Sequence, residues 1–213
     1  MDEAAAEAEI ARGLGVRAEV LGAADVRARF PGLRGALAGA LLFPDDGHMD
    51  PMLFTRAMAD KAATAGAEVL RGTEAIALEP AGTGAVNVVT TRGDFVADQV
   101  VLAAGAWTPA LMKGLGLALP IEPAKGYSVD IDRPADFPEI PLYLGDAHCV
   151  LTPLGDALRL GSTLELSGWD MTIRRQRVAG LRRIVMSQPE SSRVLPSRRA
   201  SPSGVRTQRA SPK

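Results

Sequence analysis

Asp98-Gln99-Val100-Val101-Leu102-Ala103-Ala104-Gly105-Ala106-Trp107-Thr108 decides how the rest of the chain is read. Val100 to Leu102 form a short continuous apolar run, the composition of a strand covered on both faces. Ala103, Ala104, Gly105 and Ala106 then remove the side chains that would keep the backbone away from a ligand. The segment reads as a buried strand running into a tight turn, with Thr108-Pro109 opening the next helix. Many α/β folds end a strand in small residues with nothing bound there, so the flanking sequence has to choose between a structural turn and a cofactor turn.

Upstream, helices and strands alternate. Glu3 to Leu14 is rich in alanine and glutamate and predicts a surface helix, followed by an extended Val16 to Leu21. Ala23 to Phe30 predicts a short helix stopped by Pro31 and Gly32, and Ala36 to Phe43 a strand. Asp50-Pro51 is a strong start signal. An aspartate can accept from the free N–H groups of a first helical turn, and proline has no N–H to leave unpaired at the first position. Leu53, Phe54, Ala57, Met58, Ala62 and Ala65 recur at helical spacing before Gly66, which predicts a helix with its apolar face in a core. Glu68 to Arg71, Glu74 to Leu78 and Val86 to Thr91 read as strands, with turns at Ala81 to Gly84 and Arg92-Gly93-Asp94. They predict a small antiparallel meander beside a parallel strand at Val100.

Three further segments stand out: Phe43-Pro44-Asp45-Asp46-Gly47-His48-Met49-Asp50-Pro51, Pro123-Ala124-Lys125-Gly126-Tyr127-Ser128, and Glu165-Leu166-Ser167-Gly168-Trp169-Asp170. In this order and spacing, together with the Ala-Ala-Gly turn, they resemble the FAD-dependent D-amino-acid oxidase superfamily over roughly residues 15 to 186. The D-amino-acid dehydrogenase branch is the nearest in look, with glycine oxidase and sarcosine or dimethylglycine dehydrogenase next. The resemblance implies an α/β fold: a portion of a Rossmann-like FAD domain at 51–119, and a portion of a mostly antiparallel substrate domain at 120–186. Residues 1–50 would be the linking helix and first substrate-domain strands. It also implies oxidative deamination of a small amino acid or amine, with hydride passing to FAD and water hydrolysing the imine.

The same resemblance assigns roles residue by residue. Ile76 matches a strand beside the adenine, where backbone groups could read the base edge; an ordinary buried β-branched residue fits the sequence equally well. Ala103, Ala104, Gly105 and Trp107 match the cofactor turn. Lys125 and Gly126 match the strand that crosses between the domains, where glycine permits close approach to the flavin ring and a cation could stabilise charge on it; Lys125 could equally be a surface charge. His48 is the substrate-side candidate, against a structural turn histidine. Glu165 is read as a turn anchor, and Arg174, Arg175, Arg177, Arg182 and Arg183 as a solvated helix face. With two histidines and one cysteine in the chain, His148 beside Cys149 gives no metal-ligand spacing, so no metal is expected.

Two of the family's features do not match. Its members open with a strand, a GxGxxG turn and a helix that cradle the FAD pyrophosphate. Here Gly13-Leu14-Gly15 is followed by Val16-Arg17-Ala18, with no third glycine and no apolar strand before it. The closing glycine turn near the flavin is also missing. The 213 residues thus resemble the middle of a longer enzyme. An enzyme portion, a non-catalytic truncated or frameshifted remnant that binds no FAD, and a split enzyme completed by a partner chain carrying the glycine-rich half are the three readings.

Charge and composition bound the rest. A formal net charge of −1 gives no electrostatic case for nucleic acid. From Ser187 onward five arginines and one lysine face only Glu190, among seven serines and four prolines. That predicts a disordered basic tail over 187–213, either native or out of frame from about Met186. No apolar run approaches the roughly 18 residues of a membrane span. The acidic, alanine-rich start is no secretory signal, and a cytoplasmic location is expected.

Overall fold

The computed structural model describes residues 2–33, 37–82, 84–145 and 147–186. The expected basic tail at 187–213 and Ala36 of the expected strand lie outside these. The fold is mixed α/β, and the described residues divide into two compact units: those of 1–50, 126–165 and 171–186 form unit 1, and those of 51–125 and 166–170 form unit 2.

Unit 1 begins with α1 (Asp2–Gly13), β1 (Glu19–Gly22), α2 (Ala23–Arg29) and β2 (Gly39–Leu42). β1 and β2 pair antiparallel from Glu19 opposite Leu42 to Gly22 opposite Gly39. α2 stops as the Pro31-Gly32 pair predicts, in a turn closed by the Leu33 N–H donating to the Phe30 carbonyl. Gly32 is required there by space: a Cβ on it would overlap the backbone carbonyl of Asp136.

After the crossing at 126 the unit continues with β6 (Lys125–Asp132, whose first residue groups with unit 2), β7 (Leu142–Leu144), β8 (Cys149–Leu154), β9 (Ala157–Glu165) and α5 (Arg175–Met186). These strands form one sheet in the order β6-β9-β8-β7. β8 and β9 are an antiparallel hairpin turning on Gly155 at φ +61°, the conformation a two-residue hairpin asks of its first central residue. Cys149 and Leu151 on β8, and Leu158 and Leu160 on β9, alternate inward. With Tyr127, Phe137 and Leu181 of α5 they make the core, and Val129, Ile131 and Val178 pack against it.

His148, expected in a strand, instead occupies the turn before β8 at φ +46°, with its Nδ1 3.0 Å from the Tyr143 hydroxyl. Cys149 is fully buried, and burial pushes its thiol above the ordinary value of 9.0. The thiol is expected to stay unmodified by an aromatic disulfide reagent at neutral pH until denaturant is added. Fast stoichiometric labelling of native protein would show that β8 opens. Because the raised group favours its neutral form in the fold, this contribution to stability is complete below pH 9.0 and declines as pH rises above it.

Unit 2 holds α3 (Pro51–Thr64), the meander β3 (Ala75–Ala81), β4 (Ala85–Thr90) and β5 (Gly93–Ala97), a 3-10 turn at Gly105–Trp107, α4 (Thr108–Met112) and a second 3-10 turn at Lys113–Leu115. β3-β4-β5 is an antiparallel meander; β3 and β4 are the strands expected at Glu74 to Leu78 and Val86 to Thr91, and β5 is a strand the sequence reading missed, beginning inside the expected Arg92-Gly93-Asp94 turn. Two expected strands are absent: neither Glu68 to Arg71 nor Val100 to Leu102 is paired into a sheet, and Val101 is 91% exposed. A strand needs a neighbour to satisfy its backbone groups, and neither segment joins an edge of the β3-β4-β5 sheet.

The expectation that α3 turns its apolar face into a core also fails. Among the described residues of that helix none is buried, and Met52, Leu53, Phe54 and Met58 are all exposed. Leu78 and Leu111 are the buried apolar residues of unit 2 among those described, a thin core for about 80 residues. Among the described residues no helix is long and apolar enough to cross a membrane.

Candidate functional site

The residues singled out around the Ala-Ala-Gly turn come together in unit 2. Gly105 sits at φ +53°, a left-handed conformation that glycine tolerates, and open space surrounds the position of an added Cβ. Trp107 closes the 3-10 turn and lies against Trp169, ring centroids 5.3 Å apart and planes tilted by 47°. The neighbouring Asp170 carbonyl accepts a 2.8 Å hydrogen bond from the Lys125 Nζ. Trp107, Lys125, Trp169 and Asp170, far apart in sequence, thus share one surface. Ala103 and Gly105 are exposed and Ala104 half-buried.

Ile76, on β3, is 51% exposed, which removes the reading of an ordinary buried residue. Gly126 begins the run of β6 in unit 1 and is exposed; a Cβ there would only touch the Leu164 side chain at 3.8 Å. His48 is in unit 1, its Nε2 2.9 Å from the Pro153 carbonyl. With Arg133, Glu139, Pro153, Gly155 and Asp156 it lines an open cleft of about 320 Å³. Arg133 reaches Glu139 at 3.7 Å, so the cation of this cleft already has an anionic neighbour.

A polar cluster that the sequence pattern does not announce lies at the ends of β6 and β9. Glu165 is 8% exposed, and its two oxygens are engaged separately. The Tyr127 hydroxyl donates to Oε2 at 2.7 Å, and Arg174 Nε reaches Oε1 at 2.7 Å. The Arg174 backbone N–H donates to the Tyr127 hydroxyl at 3.4 Å. Arg174 is therefore an ion-pair partner, where a solvated helix face was expected. Further along the sheet, Arg159 grips Asp130 with two hydrogen bonds of 2.8 and 2.9 Å. That bond to Asp130 holds the guanidinium above its ordinary value; partial burial opposes it, and the charges of Asp130 and Asp50 add to it. Among the described residues no group of His, Cys, Asp or Glu side chains could hold a metal.

FAD can be tested against these residues by its parts. The open turn at Gly105, the exposed edge of β3 at Ile76 and the Lys125 cation suit the ends of the molecule. The pyrophosphate is different. Gly13 and Gly15 close α1: Val16 N–H donates to the Ala11 carbonyl, and Gly15 is at φ +80°. They mark a helix C-terminus, whose carbonyls and dipole repel an anion. Gly13 to Gly15 therefore form no cradle for the phosphates.

Residues 1–210 match the family described as FAD dependent oxidoreductase, nearly the whole chain. The chain belongs to that family. Among curated relatives, the D-amino acid dehydrogenase of Granulibacter bethesdensis is 36% identical over 183 residues, 83% of this chain and 44% of the relative. That of Cereibacter sphaeroides is 35% identical over 187 residues, 84% of this chain and 43% of the relative. Among solved structures, glycine oxidase from Geobacillus kaustophilus superposes with a TM-score of 0.77 at 27% identity, covering 88% of this chain and 50% of that one. L-proline dehydrogenase from P. horikoshii has a TM-score of 0.74 at 23% identity, a likeness of fold. The chain spans less than half the length of the curated relatives it matches.

Proposed function

We propose that the chain is a portion of an FAD-dependent amino acid oxidoreductase of the D-amino-acid dehydrogenase or glycine oxidase type, and that these residues alone do not retain FAD. Unit 2 is read as part of the FAD domain and unit 1 as part of the substrate domain. The observation that carries the reading is the shared surface of Gly105, Trp107, Lys125 and the 169–170 segment, in a chain whose relatives are D-amino acid dehydrogenases.

The bound cofactor would supply the hydride acceptor that no side chain can replace. The chain's own residues would do the positioning. The bare backbone at Ala103 to Gly105 admits a flat ring system, and Trp107 walls one side of it. Lys125, oriented by the Asp170 carbonyl, places a cation where negative charge would develop. Ile76 presents backbone on the adenine side, Gly126 leaves room beside Lys125, and His48 is the substrate-side donor, its ring oriented by the Pro153 carbonyl. The substrate would be a small amino acid or amine.

The second reading, a remnant without activity, is favoured by the thin core of unit 2, the exposed face of α3 and the two unpaired segments. The third, a split enzyme, is compatible with the same surface. One titration separates them. FAD added to the chain alone is expected to show no saturable fluorescence quenching. With a polypeptide supplying the glycine-rich half, quenching and D-amino-acid-dependent reduction of an artificial acceptor are expected. Saturable binding by the chain alone would remove the proposal that it lacks a phosphate cradle; no binding in the reconstituted pair would remove the enzyme reading.

A further inference from the structure

The cleft beside His48, wholly within unit 1, carries unmet charge of both signs. Arg133 directly follows β6, and its backbone N–H donates to the Asp156 carbonyl at 2.8 Å, so strand pairing fixes where its side chain starts. That side chain is 27% exposed, yet among the described residues it meets only the Glu139 carboxylate, at 3.7 Å and too far for a hydrogen bond. Glu139 is 87% exposed, and an ion pair to so open a carboxylate is weak and readily exchanged. Asp156, in the hairpin turn with Gly155, is exposed, and its carboxylate has no partner among the described residues. The His48 Nε2–H donates to the Pro153 carbonyl at 2.9 Å, which orients the ring and leaves Nδ1 to meet a ligand.

This arrangement selects a kind of ligand. A simple anion is disfavoured, because two carboxylates outnumber the one fixed cation. A simple amine would leave the guanidinium donors without an acceptor. A molecule with a carboxylate and an ammonium close together satisfies both signs, its carboxylate taking the place of Glu139 on Arg133 and its ammonium meeting Asp156. A space of about 320 Å³ is at the small end of ligand clefts, which fits a short side chain.

We propose that this cleft binds a small zwitterionic α-amino acid, with its carboxylate on Arg133, its ammonium on Asp156, and His48 as the oriented wall. The inference goes beyond the flavin reading. Gly126, which that reading sets beside the ring, is at the other end of β6 from Arg133, and seven residues of strand at about 3.3 Å each separate them by roughly 23 Å. An amino acid this small cannot reach both, so the cleft is a holding site on the substrate side and not the place of hydride transfer.

The chain has two histidines, His48 and His148, so their imidazole C2–H proton resonances give a probe in the cleft and an internal reference. The full chain without FAD is titrated at constant pH with glycine, and separately with acetate and methylamine. Glycine is expected to shift the His48 signal saturably while His148 stays still, and each half-molecule to bind at least about tenfold more weakly. Arg133→Gln and Asp156→Asn should each weaken glycine binding by about tenfold or more. Glu139→Gln should strengthen it roughly twofold to fivefold, because the competing carboxylate is gone. No saturable His48 response overturns the proposal, as does equal affinity for glycine and either half-molecule, or a folded Arg133→Gln chain that binds like the parent. Should Arg133→Gln fail to fold, Asp156→Asn and Glu139→Gln decide, since both side chains are exposed. FAD is absent throughout, so failure here leaves the flavin reading standing, and failure of the reconstituted pair to bind flavin leaves the cleft.

Discussion

Gly32→Ala is expected to disrupt unit 1, even though alanine adds only one methyl group. An added Cβ would overlap the Asp136 carbonyl oxygen. The obstacle is backbone, which cannot rotate away as a flexible side chain would. Overpacking of this kind costs about 1–3 kcal/mol and more where backbone must move, against a total stability of about 5–15 kcal/mol for a typical domain. Gly180→Ala is the control. That glycine lies within α5 with nothing within 4 Å of an added Cβ, so the same exchange should stabilise by about 0.5–1 kcal/mol through helix propensity. Denaturant midpoints of the two variants should move in opposite directions. A Gly32→Ala chain as stable as the parent would show that the turn can withdraw from Asp136.

The chain by itself is expected to associate through α3, and charging that face is expected to suppress this. Phe54 and Met58 are 49% and 51% exposed and lie one helical turn apart. Contiguous apolar surface of this sort rarely faces water on a monomer. Phe54→Glu with Met58→Lys replaces the patch by an i, i+4 pair in the favourable orientation, worth about 0.2–0.5 kcal/mol to the helix. Sedimentation velocity across a concentration series should show the parent moving to larger species and the double variant remaining a monomer. A parent that stays monomeric throughout would mean that this face tolerates solvent.

The helices and the meander were legible because their signals are local. Pro51 at the start and glycine at the end bound α3 within a residue or two of where it lies, and the apolar runs between polar turns place β3 and β4 but not β5. The failures are of a different kind. Val100 to Leu102 has the composition of a buried strand, but composition only states a need for neighbours, and among the described residues no strand pairs with it. The same holds for Glu68 to Arg71 and for the apolar stripe on α3. At the site, Trp107, Trp169 and Lys125 were chosen separately by resemblance, and their convergence is a matter of tertiary structure. The Tyr127–Glu165–Arg174 cluster had no pattern to betray it, because its members lie 38 and 9 residues apart on different elements. A tyrosine and a glutamate at inward positions of neighbouring strands were the available sign.

The division of the chain sets an order of folding during synthesis. Unit 1 has residues 1–50 made before residues 51–125 of unit 2 and its four-stranded sheet made after them. The turn at Gly32 meets Asp136, and His48 meets Pro153, so neither contact can form until the ribosome has passed through residues 51–125. At about 5–20 residues per second the 75 residues from 51 to 125 take roughly 4–15 s. During that interval α1, α2 and the β1–β2 pair wait with their later partners unmade, and the exposed face of α3 emerges beside them. The segment that starts first is completed last, and a nascent chain stalled near residue 125 would carry both sets of unsatisfied apolar surface at once.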